Sequence, residues 1–231
     1  MKNIFLIATI LFGFISCSDD HELIIKQIKL VKVDTETILD PNQTFNGSIE
    51  FKYGDNNFVE ETIGGGGISH KYIYNTMNQL VKIIYDNNNG VSYNINYSYT
   101  NGLITTETYE GGSATHYFYN NTNQLVRIYY DIPAGSYSLY LTYDSNENVV
   151  NLIRDSEIVD SFEYDNKPNP YRLLFPDAYS KINRIGNNNA TFRKDSERVT
   201  TYEYNYNNYP TKGVQRIDVV GAVKIKEFFY N

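Results

Sequence analysis

The chain twice writes nearly the same alternation of apolar and polar residues. YNTMNQLVKIIYD begins at Tyr74 and YNNTNQLVRIYYD at Tyr119, identical at nine of thirteen positions. Each phrase has an Asn- and Thr-rich turn followed by an aliphatic run. A second pattern precedes each turn: aromatic-x-aromatic pairs at Tyr72/Tyr74, Tyr97/Tyr99 and Tyr117/Tyr119, with Leu141/Tyr143, Phe162/Tyr164 and Tyr202/Tyr204 after them. Measured on the second aromatic, the steps are 25, 20, 24, 21 and 40, the last about two units long. A period of this size marks a repeat architecture. Two strands and two turns in one step predict an antiparallel hairpin per unit.

Reading by period two separates the faces. Tyr93, Ile95, Tyr97 and Tyr99 fall on one side, and Ser92, Asn94, Asn96 and Ser98 on the other. The same reading puts Val81, Ile83 and Tyr85 together, and Tyr137, Leu139, Leu141 and Tyr143 together. One face is therefore apolar and aromatic, and such a sheet must curl, close or stack to cover it. Strands are also predicted over 23–33 and 48–53, with Gly64–Gly67 as a plain connector. A phosphate-cradling loop is disfavoured there because no Gly-Lys-Ser/Thr ending and no helix follow. Two prolines in Asp165–Tyr171 interrupt the ladder. An insertion over 165–195 is expected to plug one end, with a short helix from Pro176-Asp177 to about Lys181. Strands then resume near 200–206, 214–220 and 223–230.

Composition fits this class. The chain of 231 residues has 23 Tyr, 12 Phe, 29 Asn and 15 Gly, but no Trp and 2 Met. Aromatic and β-branched residues suit a pleated surface, while Asn and Gly supply turns with positive φ. The fold class read from this is all-β: a many-stranded antiparallel meander of repeated hairpins, curled or barrel-like. The net charge of −7 and the lack of a basic cluster argue against nucleic acid.

The N-terminus changes the picture of where the chain resides. Lys2 precedes an uncharged, mostly apolar run of 12 residues, Ile4–Ile15. That suits a signal-peptide core, whereas a transmembrane helix needs about 20 residues. Cys17, the single cysteine, follows Ser16. This resembles the lipobox of bacterial lipoproteins, with Phe14 where Leu is most frequent. The resemblance implies cleavage before Cys17 and acylation of its thiol, two or more acyl chains giving stable anchoring. Ser18-Asp19-Asp20 resembles the acidic signal of surface-exported Bacteroidota lipoproteins. The organisation expected is a signal peptide over 1–16, a lipidated Cys17 with an acidic tether over 17–22, and one β-repeat domain over 23–231. The location implied is the outer membrane.

The Tyr143-Asp144-Ser145-Asn146-Glu147-Asn148-Val149 grammar is similar to the YD repeats of RHS-type proteins, in a degenerate form. Tyr164–Pro170 and Tyr209–Lys212 resemble the marks of a family of Bacteroidota lipoproteins. The likeness spans roughly 45–231. That family's domain is described as a porin-like β fold, and no activity is attached to it. A true porin is not expected, because charges such as Lys82 and Arg127 interrupt the strands.

The chemistry is sparse. His21, His70 and His116 have no His or Cys at metal-ligand spacing. No nucleophile elbow is present. Asp144-x-Asn146-x-Asn148 sets alternate oxygens as calcium loops do, but Val149 replaces the central Gly and an Asx-rich turn writes the same letters. The expectation is therefore no enzyme, no cofactor and no metal. A glycan or protein ligand is expected, with Tyr129 and Tyr140, on the mixed face, as the candidate contacts. A structural accessory subunit of an outer-membrane complex and a lipid or small-molecule carrier are the alternatives.

Overall fold

The computed structural model describes residues 28–40, 43–87 and 90–231. Cys17, His21 and the leader lie outside the described residues. The strands are β1 (Leu30–Asp40), β2 (Gln43–Tyr53), β3 (Val59–Gly64), β4 (Ser69–Tyr74), β5 (Leu80–Asp86), β6 (Ser92–Thr100), β7 (Leu103–Tyr109) and β8 (Ala114–Tyr119). They continue as β9 (Leu125–Asp131), β10 (Tyr137–Tyr143), β11 (Val149–Arg154), β12 (Glu157–Pro168), β13 (Asn188–Arg193), β14 (Arg198–Tyr204), β15 (Pro210–Ile217) and β16 (Ala222–Tyr230). Each pairs antiparallel with its sequence neighbour, and β1 pairs with β16, closing a 16-strand barrel. The meander expected from the repeat is thus a closed barrel, and closure leaves no sheet edge.

The tight turns at one end explain the repeated phrase. In 75–79 the Asn75 side chain accepts hydrogen bonds from the backbone N–H of Met77 and Gln79, both 3.0 Å. Asn78 adopts φ +58°, a left-handed conformation that Asn tolerates. The turns begun by Asn120, Asp144 and Asn205 repeat the arrangement.

Each of these hairpins has a bulge one residue past its turn. Tyr74 pairs with Leu80 and Ile73 with Lys82, so Val81 is the extra residue. The bulge corrects the strict period-two reading of β5: Leu80, not Val81, is turned inward, fully buried together with Ile83. Leu125 with Ile128, and Val149 with Leu152, are spaced and buried in the same way.

At five strand junctions the Tyr before the turn or insertion then bonds back to a backbone carbonyl across the barrel wall, whereas Tyr204 donates to the Asp165 carboxylate. Tyr74 donates to the Val59 carbonyl, Tyr99 to Leu80, Tyr119 to Ile104, Tyr143 to Leu125 and Tyr164 to Val149, all within 2.6–2.8 Å. Tyr53 donates to Leu30, and Tyr230 to Pro210, extending the girdle across the seam. Burial disfavours the phenolate, pushing Tyr99 and Tyr164 up to about 12 and the other girdle phenols higher.

The insertion enters from this turn end. Its helix α1 (Asp177–Ile182) places Ala178 and Ile182 in one apolar cluster, while Leu174 and Phe175 enter a second beside Leu30, Val33 and Phe228. The Leu174 carbonyl accepts from Val59 N–H at 2.9 Å, so the plug crosses to the opposite wall. The expected helix and plug are both present. Several boundaries differ from the sequence reading. β12 runs on through Asp165 to Pro168, which pairs with Asn188 after register shifts. β13 lies inside the span read as insertion, so the long step from Tyr164 to Tyr204 is one hairpin unit plus the plug. Of the strand read over 23–33, residues 23–27 lie outside the described residues, Ile28 and Lys29 are not in strand, and β1 runs from Leu30 to Asp40.

The outer wall carries charge ladders. Lys52, Glu61 and Lys71 stand opposite one another across β2, β3 and β4, with Lys52 and Glu61 paired at 2.7 Å. Glu203, Lys212 and Glu227 do the same across β14, β15 and β16. Opposite charges across strands suit a water-facing wall. Exposed apolar side chains, among them Ile73, Phe118, Tyr140, Val199 and Phe229, are interspersed with these ladders.

Candidate functional site: the open mouth of the barrel

The two barrel ends differ. The turn end is closed by the plug and the tyrosine girdle. The other end is bridged by short connections with no such insertion among the described residues, and its inner wall is solvent-exposed and unusually aromatic. Phe45 (52 % exposed), Ile49 (45 %), Tyr93 (38 %) and Tyr109 (38 %) alternate inward there yet stay open to solvent. Inward parity is fixed by buried neighbours on the same strands, Phe51 on β2 and Tyr97 on β6.

An aromatic arc runs round half of this mouth. His70 packs 5.0 Å from Tyr85, which stacks on Tyr93 at 4.5 Å, and Tyr130 stacks on Tyr137 at 4.7 Å. Tyr109 and Tyr117 both donate to the Glu107 carboxylate, which is 8 % exposed. Glu107 occupies the position after the bulge where Ile83 and Ile128 sit in other units, and two phenols compensate its burial.

The other half is polar and cationic. Arg193 binds Asp160 at 2.8 Å and Asp195 at 2.6 Å, and lies over the Phe162 ring. Lys224 and Lys226 alternate inward with buried Phe228 on β16, opposite Thr37 and Thr35 of β1. Arg198 is on the inward side of β14, two places from buried Thr200, and its Nε is buried without a hydrogen-bond partner. Desolvation, then Lys224 and Arg198, hold the Lys226 ammonium below the usual lysine range. A mouth cavity of about 520 Å³ is lined by Thr35, Thr37, Phe45, Ile49, His70 and Lys224. A further cavity of about 510 Å³ lies between the plug and β11–β13, lined by Phe162, Tyr164, Tyr171, Phe175, Tyr179 and Arg184 among others.

Tyr129 and Tyr140, the sequence candidates, are on the outer wall, as the alternation implied. Tyr140 is 48 % exposed, and Tyr129 stacks on His116 with centroids 6.0 Å apart. Beside them Arg127 lies 3.7 Å over the Phe118 ring. These residues are close to one another and separate from the mouth. Among the described residues, no three His, Cys, Asp or Glu side chains are grouped to hold a metal ion. The Asp144 carboxylate is engaged by the backbone N–H groups of Asn146 and Asn148 and by the Asn148 amide, as an Asx turn requires. Sequence reasoning missed Arg198, Lys224 and Lys226. The usable signal was Val223–Phe228, where two lysines share the parity of Phe228.

No family model and no curated protein matches this sequence. Among solved structures, a porin-like protein from Bacteroides uniformis is similar at 12 % identity and TM-score 0.42, over 87 % of this chain and 96 % of that one. A TcdB2–TccC3–Cdc42 complex is similar at 14 % identity and TM-score 0.37, over 86 % of this chain and 11 % of that one. TcdB2–TccC3 without Cdc42 gives the same values.

Proposed function

We propose that this protein is a non-catalytic binding module, held at the outer membrane by acylation of Cys17, that takes a glycan ligand in the open mouth of its barrel. The observation that carries the reading is the asymmetry of the inner wall. Phe45, Ile49, Tyr93 and Tyr109 point inward but stay exposed at one end, while the plug and girdle close the other. Exposed rings with a wet hydroxyl offer a flat apolar face and a hydrogen-bonding group together. The charged outer wall supports a domain that stands in water beside the membrane and relies on its lipid for attachment.

A glycan array probed with the purified protein tests the reading, and a specific hit is expected. A blank array would overturn it and favour an accessory subunit, which would copurify with stoichiometric partners. For the anchor, Cys17→Ala is expected to release the protein from the membrane fraction, and unchanged retention would contradict acylation there.

A second reading, a small-molecule carrier, draws on the aromatic cavity beneath the plug. Its ligand would survive purification and show as added mass in native mass spectrometry.

A further inference from the structure

Three cations, Arg198, Lys224 and Lys226, face the barrel interior and make no salt bridge among the described residues. Lys224 and Lys226 are successive inward residues of β16, and Arg198 is inward on β14, separated from them by β15. The acids of the neighbouring strands whose side chains are described, Asp34, Glu36, Glu50, Glu203 and Glu227, alternate to the outer wall. Asp160, which faces inward, is already held by Arg193. The Nε of Arg198 is buried and makes no hydrogen bond. Placing unpaired cations on the inner wall costs stability, and a fold tolerates such a cost where a ligand supplies the missing charge.

We propose that the mouth selects an anionic oligosaccharide, whose sulfate or carboxylate groups are received by Arg198, Lys224 and Lys226. This inference rests on the binding-module reading. The cavity at Lys224 adjoins the aromatic arc through His70. It is lined by Thr62 and His70 as well as Lys224. His70 then meets Tyr85, and Tyr85 meets Tyr93. One ligand can therefore set its anionic groups on β14–β16 and its ring faces on the tyrosines. A saccharide suits the site better than a peptide, because a closed barrel offers no strand edge for a peptide to extend.

Isothermal titration of the purified protein tests this with two probe sets. One set is sulfated and uronate-bearing oligosaccharides; the other is the same chains desulfated and carboxyl-reduced. The anionic chains are expected to bind at least about tenfold tighter than their neutral counterparts. Lys224→Gln and Lys226→Gln should each remove that advantage, while Lys212→Gln, on the outer wall, should keep it. Thermal melts without ligand guard against misfolding: Lys226→Gln is expected to raise Tm by relieving the unpaired charge. Equal binding of neutral and anionic chains, unaffected by the Gln variants, would overturn the inference and leave the binding module standing. Absence of any saccharide binding would overturn both. Tighter binding of polyglutamate than of any saccharide would overturn the ligand class.

Discussion

Tyr230 stands directly opposite Leu30 at the seam of the barrel, and its phenol donates to the Pro210 carbonyl at 2.8 Å. The last strand residue thus repeats what Tyr74 does beside Leu80, with two chain segments in place of a tight turn. Asn231 N–H completes the seam by donating to the Lys29 carbonyl at 3.1 Å. The seam thereby repeats the pairing of Tyr with an inward aliphatic residue found at Tyr74–Leu80, Tyr119–Leu125 and Tyr143–Val149.

The girdle predicts a specific loss. Tyr143→Phe keeps the ring but leaves the Leu125 carbonyl without its 2.6 Å donor. A cost of about 1–2 kcal/mol is expected from urea unfolding. Tyr140→Phe, on the outer wall, should be neutral within about 0.5 kcal/mol. Equal effects at the two sites would contradict a structural girdle.

Burial raises the girdle phenols above their ordinary value, Tyr99 and Tyr164 to about 12. The sign follows from linkage. The unfolded chain ionises near pH 10, so the stability from these groups is full below that pH. It is lost as pH rises toward the folded values. Tyrosinate absorbance and circular dichroism followed together should therefore show the girdle phenols ionising with the collapse of the barrel. Full ionisation with the sheet intact would refute the burial argument.

The Asp144 turn is held by hydrogen bonds to one carboxylate oxygen, 2.9 Å from Asn146 N and 2.8 Å from Asn148 N. An Asn carbonyl accepts equally well, as at Asn75 and Asn120. Asp144→Asn is expected to shift Tm by no more than a few degrees, and added Ca²⁺ to leave wild-type Tm unchanged. A calcium-dependent rise abolished by the substitution would reverse this assignment.

The repeat made the architecture legible, because the hairpins closed by Tyr74, Tyr119 and Tyr143 share the same turn, the same inward aliphatic pair and the same closing Tyr. The plug was legible from the prolines and the apolar run Leu173–Phe175. Closure was not, since it depends on Leu30 meeting Tyr230, a contact with no local signature. The bulges escaped because period two assumes an unbroken pleat, and one extra residue such as Val81 turns Leu80 inward. The mouth escaped for a related reason: Tyr93 reads like the core residue Tyr97 until the far end of the barrel is seen to be open. Tyr129 and Tyr140 drew attention by breaking the apolar alternation, which located the outer wall and left the inner one unexamined.

The most direct measurement compares two double variants in titrations against the best ligand from the array. Phe45→Ala with Tyr93→Ala removes two of the exposed inner rings, and Tyr129→Ala with Tyr140→Ala removes two of the outer ones. Truncating a central aromatic contact typically costs about 2 kcal/mol or more. The mouth pair is therefore expected to weaken binding at least about thirtyfold, and the outer pair to leave it within about threefold. The reverse pattern, with the outer pair abolishing binding and the mouth pair sparing it, would contradict the claim that ligand enters the barrel.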